Sequence, residues 1–150
     1  KKNALEYYEA FIATGGKKEN FKPIEVNIDY QIFSLSSRVV SFVLTKTESF
    51  SNAYTTNYYY NIDLETGRDF SLKELLGSDY KKIIEISIQK EIATWDKEKQ
   101  QLLFQTNSIS DYIKENQPFY INENNQIVVV FEKYEIGVGT LGQVEFIVEP

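Results

Sequence analysis

Ile24-Glu25-Val26-Asn27-Ile28-Asp29-Tyr30-Gln31-Ile32 alternates apolar and polar side chains without a break. Successive side chains on a strand point to opposite faces, so this period of two predicts a strand with one wet face, as antiparallel sheets have. Ser34 to Ser37 reads as a turn, and Arg38 to Thr47 as a second strand closing a hairpin on the first. After a polar loop, Glu48 to Thr55, a third strand is expected from about Thr56 to Leu64. Its parity assigns Tyr58, Tyr60 and Ile62 to the core and Tyr59, Asn61 and Asp63 to the outside.

The flanks change period. Residues 3–14 put Leu5, Tyr8, Phe11 and Ile12 at helical spacing, and Gly15-Gly16 stops the helix. Beyond the turn at Thr66-Gly67, Ser71-Leu72-Lys73-Glu74 is a capping box, in which serine and glutamate satisfy each other's free helix-start amides; the short helix it opens ends at Gly77. A longer helix is expected from Asp79 to Lys99, with Tyr80, Ile84, Ile88, Ile92 and Trp95 as its apolar stripe. Gln101 to Glu115 fits helix or coil. Phe119-Tyr120-Ile121, the turn at Asn124-Asn125, a β-branched strand from Gln126 to Glu135, a glycine-bearing loop from Gly137 to Gly142 and a last strand, Val144 to Val148, complete the chain. The fold class expected is α+β: an antiparallel sheet packed against one long helix, with short additional helices. The stripe should lie on the sheet face that carries Tyr58, Tyr60 and Ile62.

Composition narrows the chemistry. Across 150 residues, 42% hydrophobic and 15% aromatic content supports a packed core and argues against disorder. The chain has no Cys, His or Met, which excludes disulfides, thiol nucleophiles, imidazole bases and the usual zinc ligands. With 16 Lys+Arg against 22 Asp+Glu and a net charge of -6, a phosphate-binding surface is not expected, so nucleic acid is not a partner. No run approaches the roughly 20 apolar residues of a membrane span, so a membrane anchor is expected only upstream of Lys1.

Carboxylates remain as candidate acid/base groups. Asp63 and Glu65 could share a strand face, but they enter a turn, where such residues ordinarily hydrogen-bond backbone amides. Glu132 and Glu135 have the wrong parity to act as a pair. Gly137-Val138-Gly139-Thr140-Leu141-Gly142 follows a strand but opens no helix and lacks the lysine of a phosphate loop. No calcium-loop pattern occurs. The expectation is no enzyme activity, no catalytic residue, no metal and no cofactor. The tyrosines are the stronger signal: Tyr54, Tyr58, Tyr59, Tyr60 and Tyr134 offer large contact area at small entropic cost, and Tyr59, on the outward parity, is the one assigned to a binding surface.

Two segments carry a family resemblance. Asn57-Tyr58-Tyr59-Tyr60-Asn61-Ile62-Asp63-Leu64-Glu65-Thr66-Gly67-Arg68, followed by Phe70 to Leu76, resembles a Y-x-x-N-F-D-L-x-T-G-K pattern. Ile127 to Gly142 resembles L-x-I-x-F-x-x-Y-E-I-A-P-Y-x-x-G. Both patterns are those of the C-terminal domain shared by RsiV-type anti-sigma factors and PdaC-type peptidoglycan deacetylases. The resemblance implies that residues 23–150 form this domain and that residues 1–22 are a helix and linker like the end of the domain that usually precedes it. It implies an extracytoplasmic, non-catalytic ligand-binding domain of a bacterial cell-envelope protein, at the cell surface, membrane-anchored or secreted. In the RsiV branch the domain senses lysozyme; the alternative is an accessory domain of a deacetylase whose catalytic part lies outside this chain. Partners would be lysozyme or another cell-wall-associated protein or glycan. The two loops differ from the family pattern, reading Ser49-Phe50-Ser51-Asn52-Ala53-Tyr54 and Gly137-Val138-Gly139 in place of Gly-Gly-Ala-His and Ala-Pro-Tyr. These loops and the strand beside them supply the binding residues expected: Tyr54, Asn57, Tyr59, Tyr134, Val138 and Thr140.

Overall fold

The structure, a computed structural model, describes residues 2–23, 25–49, 53–105 and 108–149. Ile24, the expected start of the first strand, and Phe50-Ser51-Asn52 of the first loop lie outside the described residues. The elements run α1 (Lys2–Ala13), β1 (Glu25–Leu35), β2 (Val39–Ser49), β3 (Ala53–Asp63), α2 (Leu72–Leu76), α3 (Tyr80–Ile92), α4 (Lys97–Gln100), β4 (Phe119–Ile121), β5 (Ile127–Phe131) and β6 (Val144–Val148), with short 3₁₀ turns between. The class is α+β, as expected, but there are two three-stranded sheets, ordered β1-β2-β3 and β4-β5-β6. The chain divides into two compact units, Lys1–Asp29 with Leu44–Asn57, and Tyr30–Val43 with Tyr58–Pro150.

In the first unit the helical stripe splits. Tyr8 and Phe11 close on Phe21, at ring-centroid distances of 4.9 and 5.4 Å. Leu5 and Ile12, expected on the same packed face, are exposed. Thr45 donates to the Asn57 side chain at 3.0 Å, and Thr47 and Thr55 hydroxyls meet at 3.3 Å, an antiparallel register of β2 and β3.

The larger unit holds the core. Ile84 and Ile88 of α3 are fully buried with Val129, Phe131 and Phe146. The helix therefore packs on β4-β5-β6, chiefly on β6, and not on the face carrying Tyr58, Tyr60 and Ile62. Ladder pairs Phe119↔Val129 and Val129↔Phe146 line that inner face. The expected long helix is also shorter. It stops at Ile92 because Asp96 caps a new helix through the Lys99 amide at 2.7 Å, and Gln100 Nε2 satisfies the freed Ile92 and Trp95 carbonyls at 3.1 and 2.9 Å. The break drops Trp95 onto Phe146, with centroids 5.8 Å apart, and the Lys99 ammonium lies over the Trp95 ring, 3.7 Å from its centroid. The capping box at Ser71 and Glu74 forms as expected.

The faces of β1 and β3 are not the expected ones. On β3, Tyr58 is exposed and Tyr60 and Ile62 are half-buried, whereas Asn61 and Asp63 are buried; on β1, both parities are exposed from Glu25 to Ile32, so Ile28, Tyr30 and Ile32 of the alternating stretch are not core. The inward residues here are Phe33, Ser41, Val43, Tyr59 and Asn61. A chemical task explains the polar choices. Among the described residues β4 is an edge strand with no backbone partner on one side, and Asn61 Nδ2 donates to the Phe119 carbonyl at 2.9 Å while Ser41 Oγ accepts from the Ile121 amide at 2.9 Å. Asn61 Oδ1 also accepts from Ser41 Oγ at 2.7 Å. Buried backbone groups must find partners, and this pair supplies them.

Candidate binding surface

β5 ends at Phe131, and Glu132 to Glu135 form a tight turn closed by the Glu135 amide on the Glu132 carbonyl at 3.0 Å. The Glu135 carboxylate accepts from the Glu132 amide at 2.8 Å and pairs with Lys114. Tyr134, the third residue of the turn, has φ +73°, while Lys133 keeps a negative φ. That is a type II turn, whose third position favours glycine; a tyrosine there is held against its preference at a cost of about 1 kcal/mol. The residue stays 64% exposed. Beneath it is Gly139, where a Cβ would lie 2.4 Å from the tyrosine ring. Only a bare Cα lets the ring lie there.

The rest of the loop is pinned. Phe104 donates to the Ile136 carbonyl at 2.9 Å and Val138 to the Leu102 carbonyl at 2.8 Å. A Cβ on Gly137 would come within 2.5 Å of the Leu102 oxygen, so glycine permits this close pairing. Ile136 is buried and Leu141 packs on the core, which leaves Val138 and Thr140 exposed on either side of Gly139. Of the residues expected from sequence, Tyr134, Val138 and Thr140 thus share one rigid loop, with the tyrosine ring on the glycine between the other two. Sequence reading missed the supports: Lys114, Glu135 and the 102–104 segment.

Tyr59 belongs to a different group. It faces inward and lies parallel to Phe33 and Tyr120, at centroid distances of 6.3 and 6.4 Å; Phe33 and Tyr120 stack at 3.8 Å. Tyr120 donates to Glu145 at 2.7 Å, and Gln143 Nε2 donates to the other oxygen of that carboxylate at 2.9 Å. Phe33, Tyr120, Gln143 and Glu145 were not expected here. Alternation in Phe119-Tyr120-Ile121 was the available signal, since it separates Tyr120 from its core neighbours. Burial pushes the Tyr59 phenol up to about 12, with the charges of Glu132 and Glu145 adding to it. Burial, then the bond to Glu145, pushes Tyr120 up as well.

Tyr54 is exposed on β3, and Asn57 is half-buried on the same strand, where it accepts from Thr45. Asp63 takes the structural role expected, accepting the Glu65 and Thr66 amides at 2.8 and 3.4 Å.

The raised phenols carry a sign. Unfolded tyrosines ionise near pH 10, earlier than Tyr59 and Tyr120 in the folded chain. Above that pH the unfolded state holds fewer protons, so the stability contributed is complete below about pH 10 and is lost as pH rises toward 12. Urea midpoints measured from pH 9 to 11.5 should fall, and the fall should be shallower in Tyr59→Phe. An unchanged slope in that variant would count against the assignment.

Comparison with known proteins adds three observations. Residues 72–149 match the family described as "Protein of unknown function (DUF3298)". The anti-sigma-V factor RsiV of Bacillus subtilis (strain 168) is 25% identical over 150 residues, covering 97% of this chain and 52% of RsiV, so the chain spans about half the length of that relative. Among solved structures, a DUF3298 family member from Bacteroides fragilis NCTC 9343 aligns with a TM-score of 0.64 at 16% identity, over 96% of this chain and 58% of that one. A DUF3298 protein from Pseudomonas aeruginosa PAO1 aligns at 0.58 and 13% identity, over 96% and 68%. These two likenesses concern the fold alone.

Proposed function

The chain belongs to the DUF3298 family, and from that premise we propose that it is a non-catalytic, extracytoplasmic ligand-binding domain of a bacterial cell-envelope protein, RsiV-like, with lysozyme as its ligand. The relative's name supports a regulatory rather than catalytic role. The observation that carries the reading is Tyr134, a large aromatic kept exposed in a left-handed backbone, its ring over Gly139. Strain of this kind persists where surrounding structure over-determines it, and it clusters at ligand clamps. Exposed tyrosines on rigid supports are the residues that dominate protein interfaces.

A net charge of -6 attracts a strongly basic enzyme, raising the on-rate but adding little specificity. With Gly137-Val138-Gly139 in place of the family's Ala-Pro-Tyr, one aromatic anchor is absent, so binding should be weak and should fall steeply with salt. Titration calorimetry against egg-white lysozyme at low and near-physiological ionic strength tests this. Tyr134→Gly is the informative variant. It removes the ring while relieving the turn, so it should fold at least as well, within about 1 kcal/mol, yet lose binding. No heat at low ionic strength would dismiss lysozyme; full binding by the glycine variant would dismiss the loop.

A further inference from the structure

Glu145 lies exposed on β6 with both oxygens oriented by neutral donors, the Tyr120 hydroxyl and the Gln143 amide. Among the described residues no lysine or arginine pairs with it. A carboxylate has about four acceptor positions, so two remain after these bonds. Beside it stand three parallel, half-buried rings, Phe33, Tyr59 and Tyr120. We propose that this aromatic stack and the Glu145 carboxylate form a seat for the guanidinium of an arginine on a basic protein partner. The inference rests on the binding-domain reading above but uses a site separate from the Tyr134 loop.

Three features favour that occupant. Guanidinium presents a planar fork that matches the two free carboxylate positions and lies against aromatic faces, which a lysine ammonium does not do as well. The hydrogen bonds from Tyr120 and Gln143 fix the carboxylate beforehand, so little side-chain freedom is lost on binding. The local field is negative: Glu132 and Glu145 both act on the Tyr59 phenol in the direction that holds its proton. A cation arriving there relieves that field, whereas an anionic ligand adds to it.

The test needs no lysozyme. Amide chemical shifts of the whole domain are followed while N-acetyl-arginine amide, or its neutral isostere N-acetyl-citrulline amide, is added at low ionic strength. The arginine compound should give saturable shifts at Tyr59, Tyr120, Gln143 and Glu145, and citrulline should bind roughly tenfold more weakly or less, since hydrogen bonds to charged groups are the stronger ones. Glu145→Gln keeps the side-chain shape and should lose the arginine response. Equal response to citrulline, shifts scattered over the acidic surface, or full arginine binding by Glu145→Gln would each overturn the seat. Saturation of the same amides by a neutral N-acetylglucosamine oligomer in place of arginine would replace it with a glycan site. Arginine binding without lysozyme binding sinks only the lysozyme reading, and the converse sinks only the seat.

Discussion

Ile88→Ala is expected to lower the unfolding free energy by about 2–5 kcal/mol, because deleting a buried aliphatic side chain loses its transfer energy and leaves a cavity. Ile88 is fully buried on α3, in the cluster that includes Ile84, Phe131 and Phe146. The helix and both faces of β5 are packed, so little around the gap can collapse into it. For a domain of this size the midpoint of thermal unfolding should drop by roughly 5–15 °C. Val26→Ala, on an exposed strand, is the control and should stay within about half a kcal/mol. An Ile88 variant as mild as that control would mean that α3 does not lie on the β4-β5-β6 sheet.

The second large effect is expected at a polar residue. Asn61→Ala removes the donor to the Phe119 carbonyl and the acceptor of the Ser41 hydroxyl, both buried. The Ile121 amide keeps its bond to Ser41. A buried group left without its partner costs about 1–3 kcal/mol, so the loss should be about 2–4 kcal/mol in denaturant melts. Asn61→Asp should be worse at neutral pH, because its carboxylate faces a carbonyl oxygen in a buried site. Desolvation raises that carboxyl's folded pKa, so protonation in acid should recover part of the stability and rising pH should remove it. An aspartate variant that is indifferent to pH would contradict this geometry.

These two residues mark where the sequence was readable and where it was not. Ile88 is legible because helical spacing reports burial directly: a stripe on one face can only be core or interface. The strands β4, β5 and β6 were legible one by one, since Phe119, Val129 and Phe146 are apolar and lie in short runs with clear turns. What periodicity could not reveal was which sheet the helix covers, or that there are two sheets. Asn61 is illegible because alternation weighs polarity alone. It assigns asparagine to water, but the edge of β4 rewards a buried amide and draws Asn61 and its neighbour Ser41 inward. Phe33 and Tyr59 lie on the same face, so the tyrosine assigned to the surface stacks inside. The Tyr134 loop was legible as a glycine-bearing loop next to an aromatic. The left-handed turn and the pinning by residues 102–104 depend on contacts that no local pattern encodes.

The side chains that close the β4 edge come from strands made much earlier in the chain: the bonds from Ser41 and Asn61 span 80 and 58 residues. Contacts so distant in sequence are slow to form, because a long loop must close before they return anything. On the ribosome the order works in the protein's favour, for β2 and β3 emerge first and can be waiting when β4 leaves the tunnel. During refolding from denaturant that order is lost. The open edge is then a template for strands of other molecules, so refolding yield should depend on protein concentration more strongly in Asn61→Ala, where the edge never closes properly, than in the wild-type chain.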